Sequence, residues 1–349
     1  MPTIRKAPAA LAALALLLAL PAAAQTIQGM PRQSPEAMVM QRVGVSNVTI
    51  HYHRPSVNNR EVWGALVPYG AVWRAGANDN TTITFEDPVE VEGKDLAAGT
   101  YGLHMIPGED EWTVVFSSNS TSWGSFTYDQ AEDALRVAVR PEKAPYAEQL
   151  AYAFEDVSND GAVVVLHWGE LKVPFEIAFD THALALADIR DQLRHLPRFN
   201  WQGWASAASY LVGNDIEHEQ ALEWIDRSIQ MDENGQNLGL KVRVLEQLDR
   251  PEEARQTLAR ALEVSNEAQT NALGYIFLLS GDHDTAIEVF QKNVDDYSGS
   301  WNVYDSLGEA YAAKGETERA RELYQKALSM APEAQHARIN GVLSNLSAD

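Results

Sequence analysis

The chain has 349 residues, no cysteine and a formal net charge of −22. Without cysteine it forms no disulfide, offers no thiolate metal site and takes no lipid through a cysteine. So acidic a surface repels nucleic acid and anionic membranes, and it attracts cationic peptides or proteins. The composition leaves open whether the acidity recruits a partner or only keeps the protein soluble.

The first residues carry the pattern of a secretory signal. Arg5 and Lys6 precede an apolar run over residues 9–20, which is followed by a small-residue cleavage site. The run is too short to span a bilayer, which takes roughly 20 helical residues. We therefore predict a signal peptide over residues 1–24 and a soluble periplasmic or secreted protein. Residues 25–40 are polar and rich in turn formers, and they are predicted as a flexible lead-in.

Residues 41–181 have the pattern of an all-β domain. They contain short segments rich in β-branched and aromatic residues, which are separated by turn-forming residues. The best hairpin signal is Asn159-Asp160-Gly161, which stands between two apolar segments. A turn is also predicted at Gly169. Many short strands with regular turns predict an antiparallel sandwich or barrel.

After Asp180 the pattern becomes helical. A connecting helix is predicted over residues 182–197, and helical repeats are predicted over residues 198–349. Small residues recur in this half at a nearly constant spacing. They are Ala221, Ala254, Ala286 and Ala320, at steps of 33, 32 and 34 residues (221 to 254, 254 to 286, 286 to 320). This period is typical of stacked helical hairpins, here about four. The fold class is therefore an α+β multidomain protein, with an all-β domain followed by a helical array.

The last repeat begins at Trp301 and ends near Ala334, and it places small and aromatic residues at regular positions. Its pattern residues are Leu307, Gly308, Tyr311, Gly315, Ala320, Tyr324 and Ala327. This pattern resembles a tetratricopeptide repeat (TPR), and the repeat from about Glu267 resembles it too. The resemblance implies a concave face that holds a protein or peptide partner. An alternative stays open, in which the array packs only against the β domain or a second copy of itself.

Four sequence motifs stand out in the β half. They are Tyr52–Ser56, Leu66–Asn78, Ala98–Leu103, and Trp112–Val114 together with Trp123-Gly124. Together they resemble a family of exported bacterial proteins described only as a domain of unknown function, DUF2911. The resemblance implies an all-β fold and no activity. The family pattern has serine where His53 stands and Lys-Gly where Asn58-Asn59 stands, so the histidines are not a family trait.

Polar and aromatic residues in the segment from Arg54 to Thr81 are candidates for ligand binding. The candidates are Arg54, Arg60, Trp73, Arg74 and Asn78. Prolines and glycines predict a long ordered loop here, and long ordered loops are often functional. The planar guanidinium group of arginine suits a carboxylate or phosphate ligand. Two alternatives stay open. The arginines could pair with Glu61, Asp79 or Glu86 and fix the loop, and Trp63, Tyr69 and Trp73 could belong to the core.

Three histidines are weak candidates for a metal site. His51 and His53 face the same side of a strand, and His104 lies on another strand. Structural or surface roles explain them better, so no metal or other cofactor is expected. The common catalytic motifs are absent from the sequence. We interpret the chain as a binding or scaffold protein without an assigned reaction. The alternative is a β domain that binds or hydrolyses a small anionic ligand through the arginine-rich loop.

Overall fold

The computed structural model describes residues 31–346. The chain divides into two compact units, Met1–Leu184 and Ala185–Asp349. The predicted signal peptide and the first residues of the predicted lead-in lie outside the described residues. Within the described part, no helix is long and apolar enough to cross a membrane.

The first unit consists of two antiparallel sheets. Its strands are β1 (Glu36–Val43), β2 (Ser46–His53), β3 (Thr82–Phe85), β4 (Val89–Val91), β5 (Lys94–Leu96), β6 (Gly99–Ile106), β7 (Trp112–Ser117), β8 (Asp133–Val139), β9 (Glu142–Glu155) and β10 (Gly161–Ala178). The larger sheet has the order β1-β2-β3-β6-β7-β8, and the smaller has the order β5-β4-β10-β9. Neither sheet closes on itself, so the predicted all-β domain is an open two-sheet structure and not a barrel.

The core of this unit lies between the two sheets. Along β2, Val48, Ile50 and Tyr52 are buried, which is the alternation expected of a strand with one buried face. From the larger sheet, the ring of Phe116 meets that of Phe175 on the smaller sheet, with centroids 5.9 Å apart. The two inner faces therefore form one continuous apolar core.

Three local predictions can be compared with the strands. β9 and β10 pair across the turn that contains Asn159 and Asp160, and β10 begins at Gly161, which confirms the predicted hairpin. Gly169 forms no turn between strands, because it is a bulge inside β10, where the register shifts and φ is +61°. The predicted lead-in extends too far, because residues 36–40 already belong to β1 and pair with β2. Half-buried Ala37 and Val39 alternate with exposed residues there and pack on the core.

The second unit is helical. Its helices are α2 (Trp201–Gly213), α3 (His218–Met231), α4 (Gly235–Gln247), α5 (Pro251–Val264), α6 (Glu267–Ser280), α7 (His283–Asp296), α8 (Trp301–Ala313), α9 (Thr317–Met330) and α10 (Glu333–Asn345). They are preceded by α1 (Thr181–Gln192), which crosses the boundary between the units, and by a short 3-10 helix, Leu196–Phe199. The hairpins are α2–α3, α4–α5, α6–α7 and α8–α9, and α10 packs on α9.

The hairpins are arranged in two layers. The first helices, α2, α4, α6 and α8, contact one another in a continuous row. The second helices, in the residues described, contact the first helices but not one another to a comparable extent. Helices that crowd together on one side of a stack make that side concave. We call the row formed by α2, α4, α6 and α8 the inner layer.

Small residues set the close approach of the helices. A Cβ added to Gly274 on α6 would lie 2.4 Å from Cε1 of Phe290 on α7, closer than carbon atoms can pack. The corresponding Gly308 on α8 faces the ring of Tyr324 with slightly more room, at 3.3 Å. The repeat around Ala254 lacks a glycine at this position. Its Gly239 faces the neighbouring hairpin instead, where a Cβ would lie 2.2 Å from Leu273.

These contacts lead to a test of the packing with two glycine substitutions. We expect Gly274→Ala to lower the free energy of unfolding by about 1–3 kcal/mol, because the new methyl overpacks against Phe290. Gly341→Ala is the control, since Gly341 is also helical but has no neighbouring atom within 4 Å of the added Cβ. It should raise stability by about 0.5–1 kcal/mol through helix propensity. Urea unfolding followed by far-ultraviolet circular dichroism measures both. Equal effects of the two substitutions would contradict the proposed close contact.

Candidate functional site

A cleft of about 420 Å³ opens on the first unit, between the segment from Arg54 to Thr81 and the loop that follows β7. Its polar lining residues are Gln33, Ser34, Ser56, Asn58, Arg60, Arg74 and Asn78. Its aromatic lining residues are Trp73, Trp123 and Trp168. Carboxylates and imidazoles do not occur among the described lining residues, although the whole chain is strongly acidic. Four of the five predicted ligand residues line this cleft, and Arg54 does not.

The three arginines are held by backbone carbonyl groups. Nε of Arg54 donates to the carbonyl oxygen of Leu150 at 2.9 Å. Arg60 donates to the carbonyls of Ser56 and Val57 at 2.6 and 2.9 Å. In the described residues, none of the three arginines forms an ion pair within 4.0 Å of a carboxylate. The arginines therefore fix the loop through its backbone, and not through Glu61, Asp79 or Glu86.

Arg74 is half-buried and lies against two aromatic rings. Its Nη1 donates to the carbonyl oxygen of Asn78 at 2.5 Å. Its guanidinium carbon lies 5.4 Å from the ring centroid of Trp123 and 5.5 Å from that of Phe126, which are cation–π distances. Burial lowers the pKa of Arg74, and the charge of Asp79 partly opposes this shift. A guanidinium has five N–H donors, and this hydrogen bond uses one of them.

The loop after β7 has to bend closely around this guanidinium. Gly124 has φ of +70°, a left-handed conformation that glycine adopts without strain. A Cβ at Gly124 would lie 2.8 Å from Cζ of Arg74, so a larger residue would displace the arginine. Gly124 therefore permits Trp123 and Phe126 to lie against Arg74.

Trp73 belongs both to the cleft and to the core. It stacks on Trp168, with ring centroids 5.9 Å apart and planes 19° from parallel. Trp63 contacts Trp73, Trp112 and Trp168 edge to face. The indole nitrogen of Trp73 donates to the carbonyl of Gly76 at 3.1 Å. The prediction that Trp63 and Trp73 belong to the core is therefore confirmed, although Trp73 also lines the cleft. Tyr69 is exposed and does not belong to the core.

Asn78 shapes the entrance of the cleft. Its φ is +56°, and its side-chain amide donates to the carbonyl of Ser34 at 3.0 Å. The neighbouring Asp79 pairs with Arg32 at 2.6 Å and lies 3.6 Å from Nε2 of His53. Asn78 thus links the loop to the segment before β1 and presents its own carbonyl to Arg74.

The three histidines do not form one site. His51 is exposed, and His53 is buried beside Asp79. His104 is buried elsewhere, with Nδ1 3.1 Å from the hydroxyl of Ser125 and its ring packed edge to face on Tyr128. Across residues 31–346, no group of three or more histidine, aspartate or glutamate side chains is arranged to hold a metal ion.

A half-buried polar cluster next to the buried His104 is not evident from the sequence. The hydroxyl of Tyr128 donates to Asp133 at 2.7 Å, and Arg136 donates to the same carboxylate oxygen at 2.5 Å. Burial lowers the pKa of His104 to about 4, with Asp133 opposing and Arg74 adding to the shift. The sequence signal for this cluster is the group of aromatic residues Trp123, Phe126 and Tyr128 within six positions.

The inner layer of the helical unit is the second candidate surface. Its helices α6 and α8 are joined by Tyr275, whose hydroxyl donates to Glu309 at 2.7 Å. Burial raises the pKa of Tyr275 to about 12, so the phenol keeps its proton at neutral pH. Asp305 on α8 accepts two hydrogen bonds from Arg338 on α10, at 2.8 and 2.9 Å. Asp305 is thus buried and paired with Arg338, whereas Glu309 stays exposed beside the hydroxyl of Tyr275.

Two family models match parts of the chain. Residues 34–177 match the family described as "Protein of unknown function (DUF2911)". Residues 301–334 match the tetratricopeptide repeat. Both matches agree with the resemblances seen in the sequence. A search of curated proteins found no match.

Solved structures similar to the chain are TPR proteins. The crystal structure of MamA is 22% identical, covers 44% of this chain and 84% of its own, and has a TM-score of 0.28. MamA from Desulfovibrio magneticus RS-1 is 16% identical, covers 42% of this chain and 84% of its own, and has a TM-score of 0.28. YrrB, described as a TPR protein with an unusual peptide-binding site, is 24% identical, covers 45% of this chain and 82% of its own, and has a TM-score of 0.26.

The depressed pKa of His104 predicts a pH dependence of stability. The folded state resists protonation down to about pH 4, whereas the unfolded chain takes up the proton near pH 6.5. The unfolded state therefore binds more protons between these values, and stability falls as the pH decreases from 6.5 to 4. The loss from this group reaches up to about 3 kcal/mol.

The measurement compares the wild type with His104→Gln, because the carboxylates titrate in both proteins. Urea unfolding between pH 7 and pH 4 should show a steeper loss of stability in the wild type. Parallel curves for the two proteins would contradict a buried, neutral His104.

Proposed function

We propose that the protein is an exported, soluble binding protein whose helical array holds a protein or peptide partner on its inner layer. The observation that carries this proposal is the continuous row of contacts among α2, α4, α6 and α8, since such a row is expected to line the concave side of a helical stack. Export rests on the signal-peptide pattern of residues 1–24. The match of residues 301–334 to the TPR supports the array as an interaction scaffold.

The chemistry of the inner layer favours a cationic partner segment. Glu309 is exposed on α8, and the chain as a whole carries a formal charge of −22. A positively charged segment is attracted over long range and can then pair with such carboxylates. Tyr275 adds an amphipathic aromatic side chain next to Glu309, and tyrosine is enriched in protein interfaces.

A pair of charge reversals tests the inner layer. We expect Glu309→Lys to weaken binding of lysine- and arginine-rich peptides, selected against the full-length protein, by tenfold or more, because the inner layer loses a carboxylate and gains a repelling charge. Glu288→Lys is the matched control, since it changes the net charge equally but lies exposed on α7, outside the inner layer. Fluorescence anisotropy measures the affinities. An equal loss in both variants would mean that only the overall charge matters and would overturn the assigned surface.

The cleft of the first unit supports a second candidate function, the binding of a small anion. Arg60 and Arg74 bring two guanidinium groups to one cleft that lacks carboxylates among its described lining residues. Guanidinium groups that have no carboxylate partner can donate hydrogen bonds to an anionic ligand. The same lining residues include no carboxylate or imidazole, the usual general bases, which favours binding over hydrolysis.

Citrate is a suitable probe of the anion site. At ten times its dissociation constant it should stabilise the wild type by about 1.4 kcal/mol, and Arg74→Gln should abolish this gain. Arg42→Gln is the control, because Arg42 on β1 is exposed, donates to the backbone carbonyl of Gly44 and does not line the cleft. Thermal unfolding with and without citrate measures the effect. If Arg74→Gln only lowers stability without citrate and keeps the citrate gain, the arginine is structural and the candidate function fails.

A further inference from the structure

Two large aromatic side chains on the loop after β7 remain exposed. Trp123 is 61% exposed and Phe126 is 75% exposed. Their rings are parallel to within 9°, with centroids 5.7 Å apart. Exposed aromatic residues that are clustered and ordered commonly mark a binding surface.

This aromatic pair is held in place by Arg74. The guanidinium carbon and the two ring centroids form a nearly equilateral triangle, with sides of 5.4, 5.5 and 5.7 Å. One cation therefore contacts both rings, and Arg74 is itself fixed by the carbonyl of Asn78. The two rings thus have a fixed arrangement, and a ligand can stack on the exposed indole of Trp123 without the entropy loss of ordering that side chain.

The aromatic pair adjoins the cleft, because Trp123 also lines it. The polar groups nearby are of two kinds. Asn58, Asn78 and Ser56 supply amide and hydroxyl groups that both donate and accept hydrogen bonds. Arg60 and Arg74 supply positive charge. The volume of about 420 Å³ lies within the range typical of small-ligand sites, ~300–1,000 Å³.

We propose that this cleft binds a carboxylated saccharide, whose ring stacks on Trp123 and whose carboxylate faces Arg74 and Arg60. The proposal rests on the second candidate function, anion binding, and specifies its ligand class. A sugar ring has a flat C–H face that packs on the negative face of an indole. Its hydroxyl groups need partners that donate and accept, which the amides and hydroxyls of the cleft provide. Its carboxylate matches the planar guanidinium.

Other ligand classes fit the lining less completely. An inorganic anion would leave the aromatic surface unused, and an apolar ligand would leave the amide and guanidinium groups without partners. A neutral sugar would stack but would not use the two positive charges. The carboxylated saccharide uses all three kinds of lining group.

Three probes separate these contributions in the full-length protein: sodium glucuronate, glucose and sodium acetate. Glucuronate carries both ring and carboxylate, glucose only the ring, and acetate only the carboxylate. We expect glucuronate to bind at least tenfold more tightly than either of the others, and to change the tryptophan fluorescence. Isothermal titration calorimetry gives the affinities.

Substitutions at Trp123 test whether the sugar ring stacks on this residue. Trp123→Ala should reduce glucuronate affinity to that of acetate, whereas Trp123→Phe, which keeps a stacking ring, should retain most of it. Phe199→Ala is the control, since Phe199 is 75% exposed but belongs to the helical unit. Unchanged glucuronate binding in Trp123→Ala would overturn the stacking role.

The outcomes also separate this proposal from the one on which it rests. If citrate and acetate bind through Arg74 but glucuronate binds no more tightly, the anion site stands and the saccharide proposal fails. If none of the anions binds, both fail. If glucose binds as tightly as glucuronate, the carboxylate has no role and the proposed ligand class is wrong.

Discussion

The peptide groups of the segment between β2 and β3 impose the main constraint on the first unit. This segment has no strand of its own, yet Val57, Val62 and Val67 are buried in the core. Buried peptide groups without hydrogen bonds are strongly destabilising, so each needs a partner. Some of these peptide groups bond to other chain segments. For example, the backbone N–H groups of Trp73 and Met105 each donate to the other residue's carbonyl at 2.8 Å. Other carbonyls accept from arginine side chains, and this requirement explains why Arg60 lies where it does.

The positive charge of the cleft is a consequence of this use of arginine side chains. An arginine that holds a carbonyl with one or two of its N–H groups still has others to offer, because the guanidinium carries five donors in a rigid plane. A lysine could hold the same carbonyl, but it would present a single flexible charge. Arg74 therefore holds the loop through the carbonyl of Asn78 and still lines the cleft. In the proposed anion site Arg74 would fix the loop and bind the ligand at once, so the structural and ligand-binding roles suggested by the sequence are compatible.

Much of the fold could be predicted from the sequence, because its signals are local. Alternation along β2 and the small residues at Gly274 and Gly308 report which faces are buried. The partners of polar side chains could not be predicted in this way. Arg54 bonds a carbonyl 96 residues away, and nothing near it in the sequence indicates that partner. The role of Trp123 depends in the same way on a loop that meets Arg74 only in the folded chain.

The net charge of the chain has opposite effects on the two proposed binding surfaces. The acidic chain attracts cations over distances of about a Debye length, ~10 Å at 0.1 M salt, which suits a protein partner of the helical array. The same field opposes the approach of an anion to the cleft. Affinity there must come from short-range contacts with Arg74, which lies in a partly desolvated position where its hydrogen bonds are stronger than in water. A flat aromatic wall such as Trp123 adds attraction that does not depend on charge, and this is why an anion with a stackable ring suits the cleft better than a bare anion.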